Sequence, residues 1–134
     1  MQELNVFGLI DAVRSVEQRI SVALFYSGLR IPQYRALKYI EQQQDTTVSD
    51  LSRNFGTTRA TASLLASELI RLDAVVAVEN PADRRSYFLK LTRSGKSKLS
   101  VGQRDVELVV KSIAEDYEPE MIDHINRFAG RKKL

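Results

Sequence analysis

The sequence predicts a mainly α-helical fold in which a helix–turn–helix and a β-hairpin sit between long helices at both ends. Three observations lead there. Residues 57–72, TTRATASLLASELIRL, place Ala62, Leu65, Ala66, Leu69 and Leu72 at steps of three and four, the spacing that gathers side chains on one helical face. The opposite face carries Arg59, Ala60, Ser63, Ser67 and Arg71, short or basic and polar enough to lie against something wet and anionic. Immediately afterwards the pattern turns to β-branched and aromatic runs, Val75–Glu79 and Ser86–Leu91, around a turn signal at Asn80-Pro81. Finally, apolar stripes at helical spacing occupy both ends of the chain, and nothing adjacent in sequence covers them.

The elements follow in order. Residues 3–27 form a long helix striped by Val6, Leu9, Ile10, Val13, Val16, Ile20, Ala23 and Leu24. Ile31-Pro32 ends that pattern, because proline disfavours a helical residue before it and suits the first turn of a new helix. A second helix runs from about Pro32 to Gln43 and buries Ala36, Leu37 and Ile40. Thr47-Val48-Ser49-Asp50 then has the form of a capping box, opening a third helix at 48–55 with Val48, Leu51 and Phe55 inward. Phe55-Gly56 reads as the tight turn, Thr57 or Thr58 as the cap of the exposed helix, and Asp73 as its left-handed exit. The hairpin has a basic tip at Asp83-Arg84-Arg85, and since an isolated two-stranded hairpin is marginal, it must pack on the helices before it. Helix–turn–helix followed by such a hairpin is a winged helix. Thr92 caps a long helix at 93–117, and Pro119 opens a last one with Ile122, Ile125 and Phe128 inward. The RKKL end is a frayed basic tail.

The 134 residues suit one domain. The lack of cysteine excludes disulfides, cysteine-ligated zinc, iron–sulfur clusters and thiol redox chemistry, and the single histidine, His124, excludes a histidine-rich metal site. His124 reads as an interface or surface residue. No metal, cofactor or catalytic residue is expected: the glycines are scattered, and no triad or paired-acid spacing appears. No apolar run is long enough to span a membrane and the start lacks a signal peptide's pattern, so the expected compartment is the cytoplasm. The net charge of +3 says little by itself, but its distribution says more. Residues 53–98 hold nine lysines and arginines against four acids, leaving the rest of the chain at −2. Positive charge is therefore concentrated where a DNA-binding face belongs.

The stretch 80–92, NPADRRSYFLKLT, with Arg93-Ser94-Gly95 after it, resembles the wing of the MarR family of bacterial transcription regulators. Residues 50–72, DLSRNFGTTRATASLLASELIRL, resemble that family's support and recognition helices, and the flanking helices complete its layout over nearly the whole chain. The resemblance implies one domain over 1–134, with a winged helix–turn–helix at 32–91 and dimerisation helices at 1–30 and 93–134. It implies a homodimer that binds double-stranded DNA at a near-palindromic operator, acting as a repressor relieved by a small aromatic ligand. Carried over by position, Thr58 and Arg59 begin the recognition helix, Thr61 and Ser63 lie on or beside its exposed face, and Arg84 and Arg85 belong to the wing. Arg59 is placed to bond guanine O6 and N7. Thr58 reads equally well as a cap only, and Thr61 as half-buried packing. One wing arginine meets the minor groove or phosphate while the other pairs with Asp83, the choice between them staying open. Phe25, Tyr26, Arg30 and Tyr34 border the cleft in which the family takes phenolic ligands. Two positions depart from the family: Leu64 replaces a frequent basic residue, and Asp73 a frequent glycine. The alternative reading is a winged helix used as a protein-interaction module, or as an antagonist of another regulator, without an operator of its own.

Overall fold

Most of the helices begin where a side chain supplies an acceptor for amides that have no intrahelical partner. In the computed structural model, which describes residues 2–131, α1 (Val6–Ala23) starts behind Asn5, whose Oδ1 accepts from the Gly8 amide at 3.0 Å. α2 (Ile31–Gln42) follows a short 3-10 turn at Phe25–Ser27, and the Gln33 side chain reaches back to accept from the Arg30 amide at 3.0 Å. α3 (Val48–Phe55) opens with the expected capping box: Asp50 Oδ2 accepts from the Thr47 amide at 2.9 Å, and Thr47 Oγ1 from the Asp50 amide at 3.2 Å. α4 (Arg59–Arg71) is capped by Thr58, and α5 (Arg93–Glu115) by Thr92. α6 (Pro119–Arg131) completes the order, with proline in its first turn.

The exits are equally local. Gly28, Gly56 and Asp73 take left-handed backbone angles, with φ of +72°, +62° and +57°. Asp73 does so at some cost, since only glycine reaches this region without its Cβ crowding the chain. Helices α1 and α5 differ most from expectation at their ends. α1 is shorter than 3–27, because Asn5 caps it at one end and the 3-10 turn leading to Gly28 ends it at the other. α5 stops at Glu115 rather than 117.

Strands β1 (Val75–Glu79) and β2 (Tyr87–Leu91) pair antiparallel, from Val75 opposite Leu91 to Glu79 opposite Tyr87. Thr46 adds a bridge to the other side of β2, its carbonyl accepting from the Leu89 amide at 2.8 Å. The hairpin is thereby anchored at its base, where Val75 and Leu89 are buried, while Val76 and Val78 farther along β1 are exposed. The core lies under this base, around Leu24, Leu37, Leu51, Leu69 and Leu89, each 0% exposed. Ala62 and Ala66 bury the inner face of α4 as expected, and Leu65 is half-buried. Leu72 is a correction: it caps the helix after the last core turn and stays exposed.

One junction ties three elements together. Thr92 Oγ1 accepts from the Gly95 amide at 2.9 Å and donates to the Asp73 carbonyl at 2.5 Å, while the Thr92 amide donates to the Ala74 carbonyl at 3.0 Å. A Cβ on Gly95 would lie 1.9 Å from the Ala74 oxygen, so only glycine lets α5 start this close to the end of α4. The terminal helices contrast with this density. α1 buries none of its residues, and Ile125 and Phe128 of α6, expected to point inward, are exposed in the single chain.

Candidate nucleic-acid interface

α3 supports α4 from behind, so α4 turns its unburied side outward beside the wing. Arg59, Ala60, Ser63, Ser67 and Arg71 are all exposed. A recess of about 150 Å3 opens between the start of α3, the outer side of α4 and the start of β2. Its walls include Ser49 from α3, Arg59 and Ser63 from α4, and Arg85 and Tyr87 from the wing. Three residues marked out in the sequence thus share one concavity. Ser49 and Tyr87 were not among them; Ser49 reads in sequence as part of a capping box, with no sign that it also faces the wing.

The wing tip resolves which arginine pairs with Asp83. Asn80 Oδ1 accepts from the Ala82 amide at 3.0 Å, which turns the chain after β1. Asp83 Oδ1 then accepts from the Arg85 amide at 3.0 Å and lies 3.5 Å from Arg85 Nε. Arg85 is therefore the paired arginine, held over the recess although its side chain is 93% exposed. Arg84 has no partner among the described residues. Arg59 has none there either.

Thr58 and Thr61 are drawn to a different task. The Thr58 hydroxyl accepts from the Thr61 amide at 3.1 Å and donates to the Thr61 hydroxyl at 3.0 Å, so both threonines are joined at the helix start. Thr61 is exposed rather than half-buried, and it faces the opposite flank of α4 from the recess.

That flank borders a larger cleft of about 760 Å3, walled by parts of α1, α2, α3 and α4. Leu51, Phe55, Leu64 and Leu65 give it apolar surface; Glu17, Arg30, Arg35 and Glu68 give it charge. The Arg35 guanidinium sits 5.0 Å above the centre of the Phe55 ring. Glu68 is the one acid of α4, and Arg30 Nη2 holds it at 2.5 Å with Gln33 Nε2 at 3.3 Å. This clamp turns the carboxylate away from the recess. Of Phe25, Tyr26, Arg30 and Tyr34, only Arg30 lines the cleft. Phe25 and Tyr26 stand edge to face on the 3-10 turn, 76% and 82% exposed. Tyr34 is buried against Gly102, and its burial, with the Glu107 carboxylate adding, pushes its hydroxyl above the ordinary tyrosine range. Phe55 and Arg35 were missed because they reach the cleft from separate helices, and Phe55 reads in sequence as plain core.

At α3 the Asp50 carboxyl is subject to opposing influences. Burial raises its pKa, but the hydrogen bonds from Thr47 and the Arg53 guanidinium outweigh that and hold it below the ordinary aspartate value. Arg53 is thereby tied to α3 through its ion pair with Asp50.

A supported, outward-facing helix beside an anchored hairpin defines a winged helix–turn–helix protein. Residues 27–86, covering α2 to the wing tip, match the family model described as MarR family. The helix–turn–helix and most of the wing of this chain are thus similar to those of the MarR family. Solved structures share the fold over nearly the whole chain. S. aureus MepR in complex with DNA superposes with a TM-score of 0.85 at 16% identity, covering 97% of this chain and 96% of that one. Bordetella bronchiseptica BpsR, described with regulation of its DNA binding by 6-hydroxynicotinic acid, gives 0.85 at 19% identity, covering 96% and 92%. CouR from Rhodococcus jostii RHA1, bound to p-coumaroyl-CoA, gives 0.80 at 20% identity, covering 93% and 89%. No curated protein matches the chain by sequence. Among the described residues no helix is long and apolar enough to cross a membrane, and no cluster of three or more histidine or acidic side chains is placed to hold a metal.

Proposed function

We propose that this chain is a cytoplasmic, sequence-specific DNA-binding transcription regulator acting as a homodimer, with 32–91 reading DNA and the helices at 1–30 and 93–134 joining the two copies. The carrying observation is the recess that brings Arg59 and Ser63 of α4 together with Arg85 of the wing, while Arg30 neutralises the one acid of α4. A duplex supplies what this surface lacks, a dense row of negative charges at the rim of a groove wide enough for α4. In this arrangement Arg59 reads base edges and Ser63 lies beside it. Thr58 and Thr61 fix the start of the helix. Arg85, held by Asp83, positions the wing, and Arg84 reaches phosphate or the minor groove.

The dimer supports the rest of the reading. α1 exposes a regular apolar stripe that a second copy would cover, and two-fold symmetry then implies a near-palindromic operator. The protein acts as a repressor, and a small aromatic acid in the 760 Å3 cleft relieves it, with the Phe55 ring and the Arg30 and Arg35 guanidiniums as its partners. DNA appears bound to MepR, and small aromatic groups are named with BpsR and CouR, which supports both ligand classes here.

The test is to select an operator from a random duplex library and measure its affinity, beside that of random duplex, across a salt series. About three to five phosphate contacts per subunit give a log–log slope on the order of −5 to −9. Arg59→Ala costs about 1–3 kcal/mol on the operator and blurs preference at one position per half-site. The double variant Arg84→Ala, Arg85→Ala weakens operator and random DNA by similar factors and flattens the slope. A flat salt response would instead favour a protein-interaction module.

A further inference from the structure

At the centre of the outer side of α4 stands a leucine that reaches the wall of the cleft and still leaves most of its surface open to solvent. Leu64 is 63% exposed, although every other leucine of α4 is buried or half-buried. One turn before it, Ala60 is also exposed, so the two form a short apolar ridge between the recess and the mouth of the cleft. Single exposed leucines are common on protein surfaces. This one shares the outer side of α4 with the exposed Arg59 and Arg71, Arg85 faces Arg59 across the recess, and the acid one turn on, Glu68, is clamped by Arg30. A cationic rim around an apolar centre asks for a polyanion that presents an apolar group at its floor.

Duplex DNA has one such group. In the major groove the thymine 5-methyl is the only apolar substituent among the donors and acceptors of the base edges. RNA does not offer the same match, since uracil lacks the methyl and the A-form major groove is too deep and narrow for side chains. We infer that Leu64, with Ala60 beside it, is a specificity-determining residue that reads thymine methyl groups in each half-site. This rests on the DNA-binding reading above and adds what the helix reads beyond the Arg59 contact. Leucine has no donor or acceptor, so its discrimination comes through packing and the exclusion of water.

The experiment uses the full-length wild-type protein and the operator selected from a random library. Each thymine of the half-site is replaced in turn by deoxyuridine, symmetrically in both halves, and affinity is measured by fluorescence anisotropy. At one or two positions, loss of the methyl should weaken binding about fourfold per half-site, hence about 15-fold for the dimer, the equivalent of one buried carbon on each side. Leu64→Ser should bind the thymine operator about as weakly as wild type binds the uracil one, and should no longer distinguish the two. Because Leu64 is exposed, its melting temperature should match wild type. A selected operator that tolerates uracil at every position overturns this inference and leaves the DNA-binding reading intact. Methyl sensitivity that persists in Leu64→Ser does the same. A selection that enriches no sequence overturns both.

Discussion

Between Leu24 and Leu99 one core closes, in which Leu24, Leu37, Leu51, Leu69 and Leu89 are wholly buried. In α1 an equally regular stripe, Val6, Leu9, Ile10, Val13 and Val16, remains between 39% and 52% exposed. Both regions obey the same three-and-four spacing, so periodicity alone does not separate a core from an interface. The difference is in what the chain brings opposite. α2, α3 and α4 meet one another and the base of the hairpin, whereas α1 meets α5 along only part of its length, through contacts such as Arg19 Nη2 to Ser112 Oγ at 3.3 Å. A stripe left open to water in the single chain is what the association proposed above would cover, so on that reading the middle serves folding and the ends serve assembly.

Three measurements break or sharpen this contrast. The largest effect is expected at the ends. Val13→Asp or Ile125→Asp places a carboxylate in the apolar seam of the proposed dimer, at a cost of several kcal/mol. Light scattering should then report a monomer, while circular dichroism keeps the helical signal of the central region. A variant that stays dimeric at micromolar concentration would remove that helix from the interface. In the middle, Gly95→Ala drives a methyl into the Ala74 carbonyl. It should lower stability by about 2–3 kcal/mol in chemical denaturation, without a polar change anywhere. If the melt were unaltered, the junction of α4, β2 and α5 would be looser than the geometry states.

The smallest effect concerns Asp50. Its pKa is lowered on folding, so its contribution is present above the ordinary aspartate value, near 4, and is lost as the pH falls through the lowered one. Asp50→Asn should cost about 0.5–1 kcal/mol at neutral pH, and that gap should close on acidification. A gap that widened in acid would reverse the sign assigned to the site.

What could be read from the sequence was local in origin. Thr47 to Asp50, Asn80-Pro81 and Thr92 to Gly95 are short-range devices whose hydrogen bonds close within three residues or so, and each appears in the structure where its pattern stands. The switch from helical to strand patterning placed the wing for the same reason. Features that depend on where distant elements meet were not readable. Phe25, Tyr26 and Tyr34 are neighbours along the chain, but the 3-10 turn before Gly28 sends the first two outward and α2 sends the third into the core. The cleft instead gathers Glu17, Arg35, Phe55 and Leu64 from four helices. The choice of Arg85 over Arg84 as the partner of Asp83 depends on a turn that composition does not dictate.

The stitching of Thr92 and Gly95 to Asp73 and Ala74 also has a mechanical meaning. α5, at 23 residues, is a rod about 35 Å long. Because its first turn is pinned to the end of α4 and the end of β2, it works as a lever arm whose pinned end carries α4 and the wing. A tilt of about 5° at its far end would displace them by about 3 Å, close to the rise of one base pair. In the proposed dimer, small adjustments in how the two copies lean on each other would then be read out as a change of register along a bound duplex.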